Sequence, residues 1–201
     1  MSTTLIVPGL HGSGPTHWQS WFEGLIPDAV RVEQTDWIDP HLPRWAGAVR
    51  REIERARGPV WIVAHSFGSL AAAHAAWEYR DRVAGAMFVA PADPDKFGIA
   101  DTLPDQPFGF PSVVVASTND PWVRLTKAAL WAERWGSRFV NLGAAGHINV
   151  DSGHGPWPEG LELFKQLQRT QSDVPLGSLD ADALRAPINK PFDWGSYLRD
   201  R

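Results

Sequence analysis

The chain has 201 residues and a formal net charge of −4, and it is 43% hydrophobic and 21% charged. This length suits one domain with a sizeable core, and this composition excludes a disordered chain. The charge is too small and too scattered to indicate a nucleic-acid partner.

The sequence also excludes several kinds of site. It contains no cysteine, which rules out disulfides, thiolate metal sites and a cysteine nucleophile, and which fits a reducing compartment. We find no signal-peptide pattern and no apolar run long enough to cross a bilayer. We therefore expect a cytoplasmic protein without a membrane partner.

Short apolar runs recur along the chain and predict strands. In chain order they are residues 5–7, 30–32 (the weakest), 60–64, 83–90, 113–116 and 139–142. Runs of this length without polar alternation are typical of strands buried on both faces, as in a parallel sheet.

Helical patterns lie between and after these runs. They cover residues 45–57, 69–79, 125–135 and 161–168. The alternation predicts an α/β fold: a doubly wound, mostly parallel sheet of about six strands with helices on both faces. Ligands bind such sheets at the carboxyl ends of the strands, so the residues that follow each strand are the functional candidates.

The composition changes near residue 170. Residues 1–170 form the predicted domain, whereas residues 171–201 carry three prolines and little periodicity. We expect this C-terminal segment to be a tail that packs on the domain or contributes to a homo-oligomer contact.

The strongest local signal surrounds Ser66. Residues 60–70 read VWIVAHSFGSL: an apolar strand, a serine between small residues, and an alanine-rich helix. This context is typical of a nucleophile elbow, in which a sharp turn lifts the serine oxygen above the sheet. Ala64 stands where the G-x-S-x-G pattern has its first glycine, and alanine is the smallest substitute. A helix N-cap is the alternative role for Ser66.

A glycine-rich loop follows the first strand. Residues 8–18 read PGLHGSGPTHW, and residues 9–16 nearly match a phosphate-binding loop. Pro15 replaces the lysine that such a loop needs, so a nucleotide site is disfavoured. We expect instead that the N–H of Leu10 or its neighbour joins the N–H of Phe67 in an oxyanion hole.

Two aspartates compete for the role of catalytic acid. Asp120 follows the strand at 113–116, and Asp93 follows the strand at 83–90. The usual chain order of nucleophile, acid and base favours Asp120 over Asp93, with a helix N-cap as its alternative role.

His147 is the predicted base, because it follows the last strand in the glycine-flanked loop GAAGHIN at residues 143–149. Asp151 and His154 lie close to it in the sequence. Their spacing matches no common metal motif, so we expect neither a metal nor another cofactor.

These segments together resemble a known family. The glycine loop at residues 7–18, the elbow at 64–68, and GHIN at 146–149 are similar to the small serine hydrolases of the α/β-hydrolase fold, typified by retinoblastoma-binding protein 9 and the bacterial YdeN-like proteins. The resemblance covers about residues 3–170. It implies a compact core without a large lid, a triad of Ser66, Asp120 and His147, and hydrolysis of esters, thioesters or amides through an acyl-enzyme.

Aromatic residues near the predicted site loops are candidates for a substrate pocket. They are His11, Trp18, Trp122 and Trp157. The substrate would be a small carboxylic ester or amide. A non-catalytic protein-binding module on a hydrolase scaffold is the alternative function, since fold alone does not guarantee activity.

Overall fold

The computed structural model describes residues 2–172. Six strands form one sheet in the order β2-β1-β3-β4-β5-β6, and every neighbouring pair is parallel. The strands are β1 (Thr3–Val7), β2 (Ala29–Arg31), β3 (Val60–His65), β4 (Val83–Val89), β5 (Ser112–Ala116) and β6 (Arg138–Asn141). The helices are α1 (Trp18–Leu25), α2 (Leu42–Arg55), α3 (Phe67–Glu78), α4 (Leu125–Arg134) and α5 (Pro158–Ser172).

Helices cover both faces of the sheet, as the alternation of patterns predicts. Strand side chains alternate between two cores: Leu5 and Val7 pack with α2, α3 and α4, whereas Ile6 packs with α1 and α5. Strands β3 and β4 are buried along their whole length, which explains their unbroken apolar sequences. The predicted fold class is confirmed.

One helix differs from the sequence prediction. The weak run at residues 30–32 does form a strand, the edge strand β2, but α1 has no counterpart among the predicted helices. Helix α1 has only eight residues, so its periodicity covers barely two turns. Its N-cap is His17, whose Nδ1 accepts from the N–H of Gln19 at 3.1 Å, and histidine is not a usual capping residue.

One long connection above the carboxyl edge, residues 90–111, joins β4 to β5. Between β4 and β5 the chain forms two 3₁₀ turns, Pro94–Phe97 and Ala100–Thr102, and no inserted domain. None of the helices within residues 2–172 is long and apolar enough to cross a membrane. The tail predicted after residue 170 lies, from residue 173 onward, outside the described residues.

The chain connections change direction across the sheet between β1 and β3. From β1 the chain moves to one side of the sheet to form β2, and it then returns to form β3 on the other side. The carboxyl ends of β1 and β3 therefore flank the topological switch point, where ligands of doubly wound sheets bind. The glycine loop and Ser66 follow these two strands.

Close backbone packing holds α3 against the end of β1. A Cβ placed on Gly68 would lie 2.2 Å from the carbonyl oxygen of Pro8 and 2.7 Å from that of Val7. Real Cβ atoms do not approach backbone oxygens so closely, so a side chain at this position would push α3 away from the sheet.

We expect Gly68→Ala to lower the free energy of unfolding by about 3 kcal/mol, the upper range for overpacking. Gly24→Ala in α1 is the matched control, since nothing lies within 4 Å of its added Cβ. A change from glycine to alanine inside a helix raises the free energy of unfolding by about 0.5–1 kcal/mol. Urea denaturation of both variants measures the difference, and a Gly68→Ala protein as stable as the wild type would contradict the packing described here.

Candidate active site

Ser66 lies at the sharp turn between β3 and α3. Its φ is 55° and its ψ is −127°, a conformation that non-glycine residues rarely adopt. Three backbone bonds hold it: its N–H donates to Val89 at 3.0 Å, and its carbonyl accepts from Ser69 at 3.0 Å and from Ala92 at 3.2 Å. Its hydroxyl makes no capping bond to α3, so the helix-cap alternative does not apply.

Three side chains from three loops form one hydrogen-bonded chain. Nε2 of His147 lies 2.9 Å from Oγ of Ser66, and Nδ1 of His147 lies 2.8 Å from Oδ2 of Asp120. A carboxylate can only accept, so Nδ1 carries the proton and Nε2 accepts from the Ser66 hydroxyl. The Asp120 side chain has no exposed surface, which protects the pair from competing water. This arrangement can activate a serine oxygen for attack on a carbonyl group.

The two candidate acids occupy different places. Asp120 pairs with His147 through one oxygen and accepts from the N–H of Trp122 through the other, at 2.8 Å. Asp93 instead caps the turn Pro94–Phe97 by accepting from the N–H of Asp95 at 3.2 Å. The structure therefore brings Asp120, and not Asp93, to the base.

The predicted oxyanion hole consists of two backbone N–H groups, those of Phe67 and Leu10. Phe67 is the first residue of α3, so its N–H has no partner one turn earlier in that helix. Gly9 abuts Ser66, since a Cβ on Gly9 would lie 2.7 Å from the Ser66 Cβ. The next residue, Leu10, has an N–H that donates to no acceptor within residues 2–172. The loops after β1 and β3 therefore bring Gly9 and Ser66 into contact, and each of these residues is followed by one of the two N–H groups.

Sequence reasoning missed the side chains that join the acid loop to the base loop. Ser117 Oγ accepts from the N–H of Ala145 at 3.0 Å, and Asn119 Oδ1 accepts from the N–H of Gly146 at 2.7 Å. Both lie in the segment STNDP that contains Asp120. In the sequence, only their proximity to Asp120 could have pointed to these two residues. Their partners are backbone N–H groups far along the chain, and every residue other than proline has such a group.

The aromatic pocket candidates separate into two groups. Trp18 has no exposed surface and Trp157 is 6% exposed, and their rings pack edge-to-face at 5.3 Å. The pocket role predicted for these two is corrected, because both side chains belong to the core beneath the site. His11 is exposed on the glycine loop, and Trp122 is 59% exposed beside Asp120.

Comparisons with known proteins agree with this geometry. Residues 4–166 match the serine hydrolase family. The chain belongs to this family. A search among curated proteins finds no significant match.

Solved structures include similar proteins. A protein of Pectobacterium atrosepticum assigned as a YdeN-like hydrolase is 40% identical, with a TM-score of 0.81 over 87% of this chain and 94% of that one. The ydeN product of Bacillus subtilis is 16% identical, with a TM-score of 0.67 over 83% and 98%. Est1E of Butyrivibrio proteoclasticus, solved with ferulic acid, is 13% identical, with a TM-score of 0.64 over 86% and 88%. The last two likenesses concern the fold alone.

Two further histidines lie behind the base of this serine hydrolase. The ring of His65 lies 4.9 Å from that of His147, and the ring of His17 lies 5.1 Å from that of His65. Burial lowers the pKa of His65 well below its usual range. Burial, assisted by the nearby Arg31 charge, lowers the pKa of His17 to about 4. Both rings are therefore neutral near pH 7.

No group of three or more histidine, cysteine or acidic side chains in the described part of the chain is placed to hold a metal ion. His147 pairs with Asp120 and Ser66, whereas His154 packs edge-to-face on Trp157 at 5.7 Å. The sequence neighbours His147 and His154 thus have separate partners.

The lowered pKa of His17 makes stability depend on pH in a definite direction. Unfolded His17 binds a proton below about pH 6.5, whereas folded His17 resists protonation down to about pH 4, so stability falls as pH drops through this window. From about pH 7.5 to about pH 5 the contribution of His17 to this loss is about 2 kcal/mol. Asparagine at position 17 keeps a capping acceptor but does not titrate. We therefore expect the free energy of unfolding of His17→Asn to fall by about 2 kcal/mol less than that of the wild type over this pH range. Urea denaturation at several pH values measures this. If the free energy of unfolding changed equally with pH in the wild type and in His17→Asn, the result would contradict a neutral His17.

Proposed function

We propose that this protein is a carboxylesterase that cleaves small esters through an acyl-enzyme on Ser66. One observation carries the proposal: the continuous hydrogen-bonded chain from Asp120 through His147 to Ser66, with bonds of 2.8 and 2.9 Å. Membership in the serine hydrolase family supports the same chemistry.

The reaction follows from the roles of these atoms. Nε2 of His147 accepts the hydroxyl proton while Oγ of Ser66 attacks the ester carbonyl, and Asp120 orients the imidazole and stabilises its charged form. The imidazolium then gives that proton to the departing alcohol oxygen. Nε2 then takes a proton from a water molecule that attacks the acyl-enzyme carbonyl, and it returns this proton to Oγ of Ser66 as the bond to the acyl group breaks and the carboxylic acid leaves. Acylation and deacylation each end with a neutral His147, and neither needs a cofactor.

The oxyanion formed at each attack needs donors that already point at it. We assign this role to the N–H groups of Leu10, in the loop after β1, and of Phe67, at the start of α3. Fixed donors in a partly dry site stabilise developing charge more than water does, because they require no reorganisation.

We infer a small substrate from the connection between β4 and β5. This connection contains two 3₁₀ turns and no inserted domain that could bury a long acyl chain. Ester oxygen is also a better leaving group than amide nitrogen, so we rank esters above amides.

We expect wild-type protein to hydrolyse p-nitrophenyl butyrate with an initial burst of one p-nitrophenol per chain, the signature of an acyl-enzyme. Ser66→Ala should abolish the burst and lower kcat/KM by about 10³-fold or more. Ser69→Ala is the matched control: Ser69 is buried on α3, and its Oγ lies 3.5 Å from the Val89 carbonyl. A wild-type protein without turnover would instead favour the non-catalytic binding module.

We expect Asp120→Asn to lower kcat by about 10⁴-fold, because an amide in place of the carboxylate favours the wrong tautomer of His147. Asp93→Asn should leave kcat within about twofold of the wild type, since asparagine also caps a turn. Steady-state hydrolysis of the same ester compares them. The reverse ranking would assign the acid to Asp93.

A further inference from the structure

The loop that carries the base presents two consecutive carbonyl groups to buried donors. The His147 carbonyl oxygen lies 3.0 Å from Nε2 of His65, and the Ile148 carbonyl oxygen accepts from Nε1 of Trp18 at 2.8 Å. Trp18 has no exposed surface and His65 is 5% exposed. Both contacts are therefore shielded from water, where hydrogen bonds are stronger.

The base loop needs such support because its backbone is strained. Ile148 has a φ of 50°, which is a rare conformation for a β-branched residue. Gly146, on the other side of His147, also has a positive φ of 58°. Strained residues persist only where the surrounding structure holds them, so the position of the His147 ring depends on external contacts to this loop.

Neutral histidine is suited to the donor role at His65. A neutral ring has one N–H, and the bond to the His147 carbonyl places that proton on Nε2. Burial keeps the pKa of His65 low, so the ring adds no positive charge beside His147. His65 also directly precedes Ser66, so one short segment contacts the base loop and carries the serine.

We propose that Trp18 and His65 are positioning residues for His147, which hold the base loop through the carbonyl groups of residues 147 and 148. Without these bonds the loop relaxes, and the His147 ring moves away from Ser66 and Asp120. That Trp18 and His65 hold the loop does not depend on the reaction. The effect of this support on catalysis rests on the proposed function.

A matched pair of tryptophan variants tests the kinetic consequence. Trp18 and Trp135 are both fully buried, and Trp135 likewise donates its indole N–H to a backbone carbonyl, that of Pro104, at 3.0 Å. We expect Trp18→Phe to lower kcat by about 10- to 100-fold with KM within about twofold, because small misplacements of a catalytic group are that costly. We expect Trp135→Phe to keep kcat within about twofold. Equal kcat values in variants with similar Tm would overturn the proposal.

A pair of His65 variants tests the second contact. Glutamine has an amide N–H near the position of Nε2, whereas leucine has no donor. We expect the kcat of His65→Gln to be at least about tenfold higher than that of His65→Leu. Equal loss in both variants, with Tm matched, would overturn the role of this bond.

Proton NMR of the His147 ring supplies a readout that does not need turnover. The Nδ1–H bonded to Asp120 should give a far-downfield resonance in the wild type and in Trp135→Phe, and this resonance should weaken or disappear in Trp18→Phe. An unchanged resonance in Trp18→Phe would overturn the proposal. If the resonance behaves as expected but the wild type hydrolyses no ester, the positioning role stands and the proposed function fails.

Discussion

The left-handed turn at Ser66 is the constraint on which the site depends. A buried parallel strand must end and a helix must begin within one residue, and only a positive φ of 55° achieves this. Serine does not favour this conformation, so the cost is met by bonds to Val89, at the end of β4, and to Ala92, which follows β4. The absence of a side chain at Gly68 lets α3 approach the end of β1.

Once this turn is fixed, the other parts of the site follow from the order of the strands. Adjacent parallel strands end at the same edge, so the loops after β1, β3, β5 and β6 meet above the sheet. The loop after β1 contributes Gly9, which abuts Ser66, and the loop after β5 contributes Asp120. Ser117 and Asn119 fasten that acid loop to the loop that carries His147. The contacts among Ser66, His147 and Asp120 are therefore held by backbone bonds between loops as well as by the side chains themselves.

The sequence was most informative where local chemistry decides structure. Unbroken apolar runs identified the buried strands, and the serine between a strand and an alanine-rich helix identified the elbow. Chain order favoured Asp120, but only the three-dimensional contact with His147 separates it from Asp93.

Sequence reasoning was wrong for Trp18 and silent on the bonding of His65. A tryptophan beside a glycine loop can face a pocket or the core, and no local pattern distinguishes the two. Here Trp18 packs inward and bonds to a carbonyl 130 residues away in the chain. Helix α1 was missed for a related reason, since its stability comes from burying Trp18 and Phe22 and not from its own propensity.

Covalent labelling tests most directly whether Ser66 is an activated nucleophile. A fluorophosphonate probe reacts with serine oxygens that a neighbouring base activates, and peptide mapping by mass spectrometry locates the adduct. We expect one adduct per wild-type chain, on Ser66, and none in Ser66→Ala. An unlabelled wild-type protein, or an adduct on any other residue, would contradict the assignment of Ser66 as the nucleophile.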